Sequence, residues 1–115
     1  MIHDLSNKHC KPCEGGALPL SELGEDSLHA EVPVWKLERM GVHNIQREFK
    51  FAGFAEAMRF VGAVAMAAAY EGHHPEIIIS YNKVTIILST RAIKGLSRND
   101  FIMAAKIDQI YRQSA

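Results

Sequence analysis

HNIQREFKFAGFAEAMRFVGAVAMAAAYEG, residues 43–72, changes its hydrophobic period partway along, and that change decides the fold. From His43 to Phe51 polar and apolar residues alternate. Ile45, Phe49 and Phe51 fall on one parity, and Asn44, Gln46, Glu48 and Lys50 on the other. Successive side chains of a strand point to opposite faces, so this is a half-buried strand. Beyond Gly53 the repeat becomes three and four: Phe54, Ala57, Met58, Val61, Ala65 and Ala68 form a stripe, with Glu56 and Arg59 elsewhere on the wheel. The spacing predicts a helix over 53–70, stopped by Gly72. Its later turns, Ala63 to Ala69, are small and apolar on every side. A helix of that kind needs cover on more than one face, which implies a homo-oligomer.

Upstream, Trp35 and Leu37 alternate with Lys36 and Glu38 after Pro33, giving a strand over 34–39 that returns through Gly41 into 43–51 as a hairpin. Ser21 is placed to cap a short helix reaching about Ala30, with Leu23 and Leu28 as its apolar residues. Downstream, β-rich runs predict strands near 77–81 and 84–89, joined by an Asn82-Lys83 turn. Ser97 and Asp100 have capping-box spacing and open a last helix over 98–113, whose apolar stripe is Met103, Ile107, Ile110 and Tyr111. Helix, two strands, helix, two strands, helix reads as an α+β fold: a four-stranded antiparallel sheet with helices packed on one face. Residues 1–19, polar and interrupted by Gly15-Gly16, read as an N-terminal arm outside the core, and 20–115 as a single domain.

The 115 residues suit one core. Thirteen basic side chains balance thirteen acidic ones, with no polybasic run, so nothing recommends nucleic acid as a partner. The longest apolar stretch, Phe60 to Tyr70, is too short to span a bilayer, and no signal-peptide pattern opens the chain. A cytoplasmic protein without membrane contact is the expectation. Cys10 and Cys13 are spaced as a zinc or redox pair. Zinc normally takes four ligands, which His3 and His9 could complete, and a redox pair needs a thioredoxin-like strand and helix that the neighbourhood lacks. The pair is expected to be reduced and unliganded, with no metal.

Chemistry concentrates at Glu71-Gly72-His73-His74-Pro75. Pro75 disfavours helical geometry at His74, and in extended backbone neighbours face opposite ways. One histidine therefore faces a cleft while the other packs, rather than both gripping one metal. Imidazoles both give and take protons near neutral pH. The competing reading is two helix-terminal histidines that only stabilise the last turn.

Glu71-Gly72-His73-His74-Pro75-Glu76, Tyr81-Asn82-Lys83-Val84, Leu88-Ser89-Thr90 and Gly95-Leu96-Ser97-Arg98-Asn99-Asp100, in that order, resemble the pterin-4a-carbinolamine dehydratase family, over roughly residues 33 to 113. The Cys10-to-Gly16 run, Ile93-Lys94-Gly95-Leu96 and Asn99 to Ala105 look like its bacterial branch. The resemblance implies loss of water from a 4a-hydroxytetrahydropterin to give the quinonoid dihydropterin. That reaction recycles the pterin used by an aromatic amino-acid hydroxylase, without metal or organic cofactor, in a homodimer or homotetramer. It implies His73, His74 and Asp100 as catalytic, with His74 the principal acid–base residue, and Pro75, Ser89, Thr90 and Arg91 as substrate-binding. Asp100 also has a purely structural reading, as the carboxylate of its capping box.

Two positions depart from the family. Arg91 stands where a third histidine follows the Ser-Thr pair, and Ala69 where an acidic or polar residue precedes the histidines by four. Arginine donates hydrogen bonds but cannot shuttle protons, so the implied site has weakened acid assistance or suits an anionic ligand. Glu71 could supply the acidic role by another route, although helical spacing points it elsewhere. Because relatives include a dimerisation cofactor and an assembly factor, a non-catalytic binding, coactivator or assembly protein on the same fold is the alternative.

Overall fold

The computed structural model describes residues 5–12 and 17–114. After a 3-10 turn at Leu5–Asn7, the elements run α1 (Glu22–His29), β1 (Lys36–Glu38), β2 (Asn44–Lys50), α2 (Phe54–Glu71), β3 (Glu76–Ser80), β4 (Lys83–Leu88), a 3-10 turn at Arg91–Ile93, and α3 (Arg98–Gln113). The four strands form one antiparallel sheet in the order β1-β2-β4-β3. This is the α+β architecture the alternating periods predict.

Register follows the pleat. Ile45 pairs with Leu88, Arg47 with Ile86 and Phe49 with Val84, all on the helix-covered face. Gln46, Glu48 and Lys50 pair with Ile87, Thr85 and Lys83 on the other face. Phe49 is 1% exposed, and its ring lies 5.9 Å from Trp35, 4.8 Å from Phe60 and 4.9 Å from Tyr111. Truncating a phenylalanine so enclosed costs about 3–5 kcal/mol. Arg47 shares this parity because its charge is satisfied there: its guanidinium stacks 4.5 Å from the Phe49 ring centre and donates to Asp108 at 2.6 Å.

Several local expectations are corrected. The first strand begins at Lys36, not 34, because the Trp35 N–H closes a turn onto the Val32 carbonyl and cannot join the ladder. The β3–β4 turn is Tyr81-Asn82, not Asn82-Lys83; Tyr81 takes the left-handed conformation (φ 53°) and Lys83 pairs with Ser80. In α2 the buried line is Ala57, Phe60, Val64 and Ala68, while Phe54 is 52% exposed. Phe60 and Val64 face the sheet because the helix is rotated toward them; periodicity alone could not set its angle in a segment apolar all round. In α1, Leu23 is exposed and Glu25 is the buried residue. The arm is not outside the core: Leu5 is 3% exposed and belongs to the main apolar cluster. Leu5 anchors its start in the core, a single apolar side chain amid polar neighbours that composition alone does not single out. No described helix is long and apolar enough to cross a membrane.

Candidate functional site

Gly72 ends α2 in the left-handed conformation (φ 68°), and the His73 N–H reaches back to the Ala68 carbonyl at 3.2 Å. This closure, natural to glycine, drops His73 just beyond the helix with its backbone already bonded. Pro75 then keeps His74 extended as the chain enters β3.

Across from these residues, α3 opens with the anticipated capping box: the Ser97 N–H donates to Asp100 Oδ2 at 2.9 Å. The Thr90 hydroxyl contacts the same oxygen at 2.8 Å and Ser97 Oγ at 2.8 Å. The other carboxylate oxygen, Oδ1, lies 2.6 Å from His73 Nε2. Asp100 is wholly buried and His73 almost so, its side chain 11% exposed. The structural and chemical readings of Asp100 therefore coexist, because one oxygen serves the helix and the other holds the imidazole. A carboxylate in that position sets the orientation of the ring.

A cleft of about 450 Å³ opens beside this pair, lined by Glu71, His73, His74, Ser89, Thr90 and Arg91 together with Cys10, Lys11 and Pro12 of the arm. His74 is exposed within it, whereas His73 is the packed partner, as alternation around Pro75 predicts. Ser89 lies on the wall. Thr90 does too, but its hydroxyl is committed to Ser97 and Asp100. Arg91 follows the end of β4 in the short 3-10 turn, exposed at the cleft. Pro75, expected among the substrate contacts, lies outside the lining; its part is to hold His74. Ala69 is exposed and outside the cleft.

Glu71 does not act toward the histidines. Its side chain is 4% exposed; Oε1 accepts the Cys10 N–H at 2.8 Å, and Oε2 lies 2.9 Å from His9 Nδ1 and 3.6 Å from Lys106 Nζ. Burial alone would raise its pKa, but the Cys10 N–H, His9 and Lys106 outweigh burial and hold it below the usual carboxylate value. Asn99, which sequence reasoning passed over, takes the Lys11 N–H on Oδ1 at 2.9 Å and donates Nδ2 to the Lys11 carbonyl at 2.5 Å. The only sequence signal for either role was proximity to the histidines and to the capping box. Cys13 and His3, two of the residues weighed for zinc, lie outside the described residues. Among the described residues, no group of three or more His, Cys, Asp or Glu could hold a metal.

Residues 19–110 match the family model described as pterin 4 alpha carbinolamine dehydratase. A protein of Nitrosospira multiformis is 44% identical over 111 residues and one of Microcystis aeruginosa 41% over 111; each match covers 96% of both chains. Both relatives bear the pterin-4-alpha-carbinolamine dehydratase name only provisionally. Among solved structures, a transcriptional coactivator/pterin dehydratase from Brucella melitensis superposes with a TM-score of 0.76 at 30% identity, over 81% of this chain and 98% of that one. A pterin dehydratase-like RuBisCO assembly factor of the alpha-carboxysome shares the fold, with a TM-score of 0.58 and 22% identity over 67% of this chain and 88% of that one.

Proposed function

The chain belongs to the pterin-4a-carbinolamine dehydratase family, and from that premise we propose that it dehydrates a 4a-hydroxytetrahydropterin to the quinonoid dihydropterin. The observation that carries the reading is the pairing of a buried, carboxylate-held His73 with an exposed His74 on one cleft. In the reaction the C4a–O bond breaks as the hydroxyl takes a proton and leaves as water, and the ring nitrogen beside C4a gives up its proton. His74 is the residue placed to make both transfers, because no bond within the described residues occupies its ring. His73, oriented by Asp100, presents its other ring nitrogen as a fixed hydrogen-bonding partner. Ser89 and Arg91 contact the bound ring or its leaving hydroxyl. None of these steps calls for a metal or organic cofactor.

The recycling role for an aromatic amino-acid hydroxylase and the cytoplasmic setting belong to the same proposal. So does a homodimer or homotetramer: Met66 and Tyr70 on α2 are 73% and 81% exposed, apolar surface that a second copy would cover. Light scattering that finds only monomer at micromolar concentration would remove the oligomer.

Arg91 is what favours the second reading, a binding or assembly protein, because a guanidinium cannot relay protons. Stopped-flow measurement of dehydration separates the two. The parent protein is expected to exceed the spontaneous rate. Arg91→His is expected to raise its rate about tenfold or more, and adding His74→Ala to remove that gain. No dehydration above the spontaneous rate in either the parent or Arg91→His overturns the enzyme in favour of the binding protein.

A further inference from the structure

We infer, taking the pterin reading as its basis, that the N-terminal arm is a wall of the ligand site, and that its Lys11 acts with Arg91 to select pterins bearing an anionic substituent. The arm is mostly polar and has little apolar surface to dock it, yet two buried side chains of the cleft hold it. Glu71 takes the Cys10 N–H and the His9 ring. Asn99, 7% exposed, pairs with both the N–H and the carbonyl of Lys11, much as a neighbouring strand would. Further back, Lys106 Nζ donates to the Ser6 carbonyl at 2.9 Å and Leu5 sits in the core. The Lys11 backbone is thus fixed in the cleft wall, at a residue that stays exposed.

The charges in the cleft do not balance. Asp100 is spent on His73, Thr90 and Ser97, and Glu71 on His9, Cys10 and Lys106. Among the described residues, neither Lys11 nor Arg91 forms an ion pair. The surplus is cationic, whereas the pterin ring is uncharged near neutral pH. A guanidinium and an ammonium on one cleft suit a carboxylate or phosphate carried on the ring's side chain. Glu71 and Asn99 are positioning residues in this arrangement; Lys11 and Arg91 are the side chains that read the substituent.

Fluorescence titration with two stable probes tests this: 6-carboxypterin, anionic, and 6-methylpterin, neutral and otherwise alike. The parent is expected to bind the carboxylate about tenfold more tightly, each partly exposed ion pair being worth about two- to fivefold. Lys11→Gln lowers that ratio by its share and leaves 6-methylpterin binding within about twofold; Arg91→Gln lowers the ratio too, and weakens both probes because Arg91 also faces the ring. Asn99→Ala lowers the ratio as much as Lys11→Gln does, and the double variant lowers it no further, because one releases the Lys11 backbone and the other deletes the same ammonium from the cleft. Lys11→Gln alters an exposed side chain, so its result stands even if Asn99→Ala is unstable. Equal affinity of the parent for the two probes overturns the selectivity and leaves the pterin reading intact. An Asn99→Ala protein that is folded and keeps the parent ratio overturns the arm's part. Binding of neither probe overturns this inference together with the pterin reading.

Discussion

Glu25 and Asp100 are 1% and 0% exposed, and each holds a histidine: Glu25 Oε2 lies 2.7 Å from His43 Nδ1, and Asp100 Oδ1 lies 2.6 Å from His73 Nε2. Their remaining partners differ. Glu25 Oε1 takes the Arg39 Nε–H at 2.8 Å, and Arg39 also reaches Asp26 and the Glu22 carbonyl, tying α1 to the β1–β2 hairpin. Those bonds raise the Arg39 pKa, the Glu25 contact most of all. Asp100 has the Thr90 hydroxyl and the Ser97 N–H on its second oxygen, and among the described residues its one ionisable partner is the His73 imidazole. That imidazole lines the cleft; Glu25 and His43 do not. A carboxylate neutralised by arginine makes a brace. One whose partner is a cleft histidine holds a ring where a ligand can meet it.

Four changes sharpen or break that contrast. Asp100→Ala is expected to act on both sides of it, costing about 3–5 kcal/mol in urea unfolding, because a helix cap and a buried pair go together, and also lowering dehydration. A loss below about 1 kcal/mol would mean the buried carboxylate is dispensable. His74→Ala should slow dehydration by about 10²- to 10⁴-fold and change stability by less than about 0.5 kcal/mol, since its ring bonds no other described residue. Parallel falls in rate and stability would instead make His74 structural.

Glu25→Gln should do the reverse, costing about 2–3 kcal/mol in urea unfolding while the rate per folded molecule stays constant. A slowed reaction would show that the brace reaches the site. The smallest effect concerns Glu71. Its depressed pKa means its stabilisation of the arm is fully present above the ordinary carboxylate value and is lost as pH falls through the lower, folded value. The Cys10 amide shift in NMR should follow that titration on the acid side of the ordinary glutamate range, and Glu71→Gln should abolish it. An amide shift that ignores pH in the parent would detach Glu71 from the arm.

Much of the architecture was legible because short-range physics writes it locally. Alternation about Ile45 and Phe49, the three-and-four repeat of α2, Gly72 as its stop and the Ser97–Asp100 box each involve residues no more than about one turn apart. Legibility ended where a choice depended on a neighbour in space. Tyr81 takes a left-handed turn position that composition would give to asparagine or glycine. The buried line of α2 runs through Phe60 and Val64, chosen by the sheet beneath it.

The site divides the same way. The sequence by itself determined that two histidines meet at the end of α2, that Pro75 sets His74 extended, and that Asp100 caps α3. Only the tertiary structure decided that Asp100 holds His73 across 27 residues, that Glu71 serves the arm 61–62 positions away, and that Asn99 grips Lys11 across 88. A cap or a strand face is selected within a few bonds of the residue concerned. A hydrogen bond between distant segments exists only once apolar burial, here Leu5 and the aromatic cluster around Phe49, has brought both into one frame.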